Sequence, residues 1–327
     1  MNAETARLIF PPIRWNADQG SYDAYRDTIE RGLAMGVGGF IVFGGPAEAV
    51  RELTAELRER SPHPLLIGAD LERGTGQQFR GATALPPPGV LAELDDLEAT
   101  RRAGALTARE ALAIGINWVY APVADLDLEP ENPIVGTRAF GAEPGRAARH
   151  VAAWIEGCRA EGALACAKHF PGHGRTTSDS HLGLPTVDAP AAALDTDLVP
   201  FRAAFEARVD SVMTAHVSYP ALDPSLAPAT LSPVILGDLL RDRLGFDGLV
   251  VTDALNMKGV LGGGGEPEAA VRALAAGCDA ILYAREPEAI AAAIDAARGS
   301  ELDAARIATS AARIRDAAGR LDALTRE

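Results

Sequence analysis

Ala163-Leu164-Ala165-Cys166-Ala167-Lys168-His169-Phe170-Pro171-Gly172-His173-Gly174 passes from five apolar residues into a polar segment bent by proline and glycine. A short apolar run bounded by turn residues is the pattern of a strand buried on both faces. Alanine-rich stretches of helical period flank it, at 144–161 and 198–207. Strand, loop and helix together make one βα unit, and the unit recurs along the whole chain. Strands are predicted at 8–15, 38–43, 65–69, 118–123, 163–167, 211–215, 249–252 and 280–283. Helical patterns follow at 22–35, 47–60, 97–113, 144–161, 198–207, 233–244, 268–276 and 287–297. An open doubly wound sheet also alternates strand and helix, but eight units are the number at which a parallel sheet closes and loses its edges. The expected fold is therefore α/β, a single (β/α)8 TIM-type barrel. Residues 1–327 are expected to form one domain, with the helical tail 302–325 as its C-terminal covering helix. No Pro/Ser/Gly-rich linker divides the chain.

A chain of 327 residues with 47% hydrophobic residues can bury a large core, which excludes disordered and fibrous classes. Its formal charge of −14 is spread along the helices as a solvated acidic surface. Such a surface repels nucleic acid and anionic membrane, and the basic stripe of a nucleic-acid binder is missing. The N-terminal apolar run Leu8-Ile9-Phe10 is too short for a signal peptide, and no stretch approaches the roughly 20 apolar residues of a membrane span. Three widely spaced cysteines, Cys158, Cys166 and Cys278, argue against a disulfide framework. These features together predict a cytoplasmic protein acting on small molecules, with no nucleic-acid or membrane partner.

In such a barrel the chemistry sits where strands run out into loops at the C-terminal face. Asp70-Leu71-Glu72-Arg73 follows the third predicted strand, Asp125 and Asp127 the fourth, Lys168-His169 the fifth, His216 the sixth and Asp253 the seventh. Five strand ends thus deliver polar groups to one mouth. The densest stretch, 168–181, holds His169, His173, His181, Lys168 and Asp179. One alternative is a plain solvated loop. Another is a metal site, but the His169/His173 pair spans Pro171-Gly172 and cannot lie on a helix in the manner of a zinc protease. No metal is expected. The third is acid/base work, with Asp179 orienting His181 so that its imidazole gives and takes a proton. Asp253, directly after an apolar strand, is either a helix N-cap or a nucleophile of the kind a retaining glycosidase uses. Gly262-Gly263-Gly264-Gly265 lacks the Lys-Ser/Thr of a phosphate-binding loop, and no cofactor is expected.

The run Lys168-His169-Phe170-Pro171-Gly172-His173-Gly174, with Asp179-Ser180-His181 after it, resembles the signature of glycoside hydrolase family 3, in particular its bacterial β-N-acetylglucosaminidase branch. Val251-Thr252-Asp253-Ala254-Leu255-Asn256-Met257 resembles the segment that bears the family's nucleophile. The likeness continues through Asn132-Pro133, Arg138-Ala139-Phe140-Gly141 and Met213-Thr214-Ala215-His216-Val217. The resemblance implies a retaining two-step hydrolysis in which Asp253 forms a covalent glycosyl-enzyme. His181, paired with Asp179, replaces the usual carboxylic acid/base. Asp70, Arg138, Lys168 and His169 match positions that hold the sugar, while His216 and Met257 are candidates for the pocket wall, with core packing the alternative. The chain departs from the family at Asp70-Leu71-Glu72-Arg73-Gly74-Thr75-Gly76-Gln77, where Gln-Glu-Gly-Gly-Arg-Val usually follows the aspartate.

The expected activity is thus an exo-acting β-N-acetylglucosaminidase on muropeptide fragments or small amino-sugar glycosides, needing no cofactor and binding a small carbohydrate. A β-glucosidase, a β-glycoside phosphorylase of the same family and a non-catalytic sugar-binding barrel are the alternatives.

Overall fold

The computed structural model describes residues 2–177, 183–257, 259–261 and 264–324. The described residues contain nine strands: β1 (Ile9–Phe10), β2 (Pro12–Arg14), β3 (Gly39–Phe43), β4 (Leu66–Ala69), β5 (Trp118–Val119), β6 (Leu164–Phe170), β7 (Ser211–Thr214), β8 (Leu249–Val251) and β9 (Ile281–Leu282). Strands β2 to β8 pair in chain order as a seven-stranded parallel sheet, and β1 pairs with β9. The sheet curls. Trp118 Nε1 on β5 donates to Ser211 Oγ on β7 at 2.8 Å, and the Phe10 ring of β1 meets Trp118 at 5.5 Å between centroids. Helices cover the outer side, giving an α/β architecture.

The predicted strands reappear with three differences. The first, expected over 8–15, is divided at Pro11, which has no N–H to give to a ladder. Its carbonyl still accepts from Ile41 N at 3.0 Å. The fourth stops at Val119 because Pro122 likewise interrupts pairing, and Val123 returns only as an isolated bridge to Lys168. The fifth runs on to Phe170, so Lys168 and His169 belong to the strand itself and not to the loop after it. The Lys168–His169 and Phe170–Pro171 peptides are both cis.

The last helix, Ala304–Leu324, is fastened to the sheet end opposite the loops just described. Its Arg306 and Arg313 reach the buried Asp279 carboxylate at 2.8 and 3.1 Å, and Ser310 Oγ donates to the same oxygen at 2.8 Å. Arg241 NH2 and the backbone N–H of Val250 donate to the other oxygen at 2.8 and 3.0 Å. One carboxylate thereby joins a covering helix to β8 and β9.

Candidate active site

Strand parity decides which side chains meet. Register partners in parallel strands share a face, and Gly68 pairs with both Ile41 and Trp118, Cys166 with Ser211, and Met213 with both Lys168 and Val251. Trp118 and Ser211 touch across the interior, so this is the inner face. Two residues further along the strands it presents Asp70 and Asp253 beside Lys168 at the rim. They line a cavity of about 270 Å³ with Glu72, Gln77, Gln78, Ile134, Arg138, His169, His173 and Met213. A larger hollow of about 360 Å³ lies at the other end of the sheet, where Leu65, Leu112, Ala318 and Leu321 line it together with Arg58 and His63.

The floor of the site is an ion network. The Lys168 ammonium, only 1% exposed, donates to Asp70 Oδ1 at 2.6 Å and stands 2.7 Å from Glu72 Oε1. Arg138 donates to the same Glu72 oxygen at 2.7 Å and to Ile134 O at 3.1 Å. Gln77 Nε2 donates to Glu72 Oε2 at 2.5 Å, while Gln77 Oε1 accepts from Arg73 N at 2.7 Å. Burial works against the Glu72 charge, but Lys168 and Arg138 outweigh it and hold the carboxyl well below the usual carboxylate range. The Lys168 ammonium is desolvated as well. Asp70 and Glu72 more than offset this and push its pKa up, so it stays charged.

Asp125 organises the histidines. Its Oδ2 lies 2.7 Å from His169 Nδ1, and its Oδ1 accepts from His169 N at 3.1 Å and His173 N at 2.7 Å. Burial opposes its ionisation, and the His169 imidazole, with His173 behind it, outweighs burial and lowers its pKa. With Nδ1 engaged, Nε2 is the His169 nitrogen turned to a ligand. The His173 ring meets His169 at 5.9 Å and bonds through Nδ1 to Thr176 Oγ1 at 2.8 Å. Burial lowers the His173 pKa and keeps it neutral.

Asp253 Oδ1 accepts from Ala254 N at 2.7 Å. Burial alone would raise its pKa, but the His169 and His216 imidazoles and the Ala254 N–H together lower it, so the group is a carboxylate. His216 lies behind it, 1% exposed, with Nδ1 at 2.7 Å from Thr230 Oγ1 and Nε2 at 3.2 Å from Ala254 O. Burial depresses the His216 pKa. The imidazole, with Nε2–H donating to Ala254 O, steadies the Asp253 turn. Met257 is buried at 4%, and neither His216 nor Met257 is among the cavity's lining residues.

The loop after β6 is held at its base. Asn132 Nδ2 donates to His173 O at 2.9 Å, Tyr219 OH to Gly172 O at 2.8 Å, and Arg175 makes a two-point pair with Asp197 at 2.7 and 3.0 Å. A Cβ on Gly174 would stand 1.7 Å from Leu126 O, so only glycine fits there. Asp179 and His181 lie outside the described residues, as do Gly262 and Gly263.

Of the residues singled out from the sequence, Asp70, Arg138, Lys168, His169 and Asp253 share this one cavity. Glu72 and Asp125 were visible as acidic strand-end residues, but their partners were not. Gln78 and Ile134 gave no signal, since amides and apolar side chains do not announce chemistry, and Gln77 and Met213 entered only as members of quoted segments. Among the described residues no group of three or more His, Cys, Asp or Glu side chains is arranged to hold a metal ion.

The sequence profile of the glycosyl hydrolase family 3 N terminal domain matches residues 23–317. A beta-hexosaminidase of Alkalilimnicola ehrlichii is 42% identical over 269 residues, covering 79% of this chain and 76% of that one. One from Chromobacterium violaceum is 42% identical over 264 residues, covering 77% and 73%. Among solved structures, a family 3 beta-N-acetylglucosaminidase from Paenibacillus sp. superposes with a TM-score of 0.92 at 35% identity. The match takes in 98% of this chain and 62% of that one, so this chain spans less than two thirds of that structure. A beta-glucoside phosphorylase superposes with a TM-score of 0.91 at 28% identity, covering 99% and 59%.

Proposed function

The chain belongs to glycosyl hydrolase family 3, and from that premise we propose that it is a retaining exo-β-N-acetylglucosaminidase releasing terminal β-linked N-acetylglucosamine from muropeptide fragments or small amino-sugar glycosides. The observation that carries this reading is one cavity holding an ionised Asp253 together with the Asp70–Lys168–Glu72–Arg138 network. A carboxylate beside fixed donors and acceptors suits attack on the anomeric carbon of a bound polyol.

Among the described residues one oxygen of Asp70 has no hydrogen-bond partner and is left for sugar hydroxyls, and Lys168, Arg138 and His169 Nε2 grip the same ring. Asp253 attacks the anomeric carbon as its bond to the leaving-group oxygen breaks, and that oxygen takes a proton from His181. A water then gives its proton to His181 and attacks the same carbon, which releases the sugar and restores Asp253. Asp179 orients His181 through both steps. His216 and Met257 back the wall behind the nucleophile.

We also infer that the sheet closes into the single (β/α)8 barrel. The segment holding β1 and β2 pairs with β9 on one side and β3 on the other, and a Val251–Ala280 bridge links β8 towards β9. No described helix is long and apolar enough to cross a membrane. A cytoplasmic location and a small carbohydrate substrate complete the proposal.

The likeness to a beta-glucoside phosphorylase supports a second reading, since a neutral imidazole acid/base repels incoming phosphate less than a carboxylate does. One assay separates them. Aryl N-acetyl-β-glucosaminide and aryl β-glucoside are offered with and without phosphate. Release of free N-acetylglucosamine in both buffers is expected. A sugar 1-phosphate formed only with phosphate overturns hydrolysis, and preference for the glucoside overturns the choice of sugar.

A further inference from the structure

A chain of buried polar groups that the proposed sugar contacts leave unused runs from the outer face of β7 to the turn of Asp253. Thr214 ends β7, one residue past the inner-facing Met213, so by parity it points away from the cavity. Its Oγ1 lies 2.8 Å from Thr230 Oγ1, which in turn lies 2.7 Å from His216 Nδ1 and 3.1 Å from Ala215 O. Thr214 and Thr230 are fully buried, and neither is among the cavity's lining residues. Thr230 sits in a short turn of 3-10 helix, Ala229–Leu231. The N–H groups of Ala229 and Thr230 tie this turn back to Val217 O and Ala215 O at 2.8 and 3.3 Å.

One hydroxyl proton and two lone pairs serve the three side-chain contacts of Thr230. The proton goes either to His216 Nδ1 or to Ala215 O, and in the second case Nδ1 carries its own. At the other end of the ring the partner is a carbonyl, which only accepts. The Nε2 that lies 3.2 Å from Ala254 O therefore carries a proton in both cases. The Ala254 N–H meanwhile donates to Asp253 Oδ1 at 2.7 Å. Ala254 is thus held at its carbonyl by His216 and holds the Asp253 carboxylate with its N–H. A ring deprived of the Nδ1 contact has one buried nitrogen without a partner and nothing there to fix its rotation.

We propose that Thr230 is a positioning residue for the attack by Asp253: its hydroxyl fixes the His216 ring, the ring fixes the Ala254 carbonyl, and the Ala254 N–H aims the carboxylate. This rests on the glycosidase reading, because the aim of Asp253 matters only if it attacks an anomeric carbon. A buried network in which every member is satisfied holds one geometry, and loosening a supporting residue displaces the reacting group.

The test uses Thr230→Val, which keeps the shape and removes the hydroxyl, and Thr230→Ser, which restores it. The kcat/KM for an aryl N-acetyl-β-glucosaminide reports the attack, and the inhibition constant of free N-acetylglucosamine reports binding without attack. In Thr230→Val the first is expected to fall about tenfold and the second to change by less than about twofold, and Thr230→Ser is expected to recover most of the loss. Unchanged kcat/KM in Thr230→Val, a Thr230→Ser variant as slow as Thr230→Val, or an inhibition constant that weakens in step with kcat/KM overturns the positioning role. Nitrogen NMR of the unaltered protein, with the His216 signals identified by their absence in His216→Gln, needs neither activity nor a stable Thr230 variant. A proton on His216 Nε2 is expected, and a ring protonated at Nδ1 alone overturns the proposal while leaving the glycosidase reading intact. Absence of cleavage by the unaltered protein overturns the glycosidase reading, and the role of Thr230 in attack falls with it whatever the ring signals show.

Discussion

Glu72 makes no use of its charge on the ligand, since Lys168 and Arg138 take one of its oxygens and Gln77 the other. It is a positioning residue that keeps two cations side by side and aims the Lys168 ammonium at Asp70. Glu72→Gln keeps the shape and removes the charge between them. Leaving buried cations under-paired costs at least about 2 kcal/mol, so kcat/KM is expected to drop roughly thirtyfold in steady-state assays. Unchanged kinetics would mean that the network is ornamental. Asp253 permits a pH statement. Its pKa is lowered on balance, so the charged form is favoured and persists into mild acid. The limb of the kcat/KM profile that reports the nucleophile should therefore lie below the ordinary carboxylate range of about 4. A limb near neutrality would assign it to another group. At this scale the sequence was legible where a strand ended in a charged residue, as at Asp70, Lys168 and Asp253. It was illegible for Gln78 and Ile134, whose importance depends on what lies across the cavity.

The loop following β6 shows how an element carries a site. Its backbone passes so close to Leu126 O that Gly174 admits no side chain, and Arg175 clamps it to Asp197. Gly174→Ala must displace the loop or Leu126, at a cost of about 1–3 kcal/mol by analogy with overpacking. Both the denaturant midpoint and kcat/KM should fall together, because His173 at the cavity wall moves with the loop. A variant with native stability and activity would show that the loop adjusts freely. The glycine and proline content of this segment made its bending legible. The strand boundary was not, since a lysine and a histidine normally end an apolar run, whereas here Asp70, Glu72 and Asp125 stabilise both of them inside the sheet.

The repeating pattern of strand and helix made the α/β class and the order of the parallel strands legible for the molecule as a whole. Breaks at Pro11 and Pro122 divided or shortened strands that hydrophobicity alone had joined. The attachment of the last helix through Asp279 was not legible, because Asp279 and Arg241 are far in sequence from Arg306 and Arg313 on that helix. Asp279→Asn leaves Arg241, Arg306 and Arg313 facing a neutral group, and destabilisation of about 3 kcal/mol is expected in chemical unfolding. Burial raises the Asp279 pKa, but Arg306, Arg241 and Arg313 outweigh it and lower the folded value beneath the unfolded one. The stabilisation is therefore complete at neutral pH and is lost as pH falls through the folded value. The stability gap between Asp279→Asn and the unaltered protein should narrow in acid, and a gap that widened would contradict the assignment.

Covalent trapping reaches the centre of the account. The protein is incubated with a fluorinated N-acetylglucosaminyl donor that slows breakdown of the glycosyl-enzyme, and its peptides are mapped by mass. The account predicts one sugar on the peptide containing Asp253, and none in Asp253→Ala. A label on any other carboxylate, or turnover of the donor with no covalent adduct, would contradict Asp253 as the nucleophile.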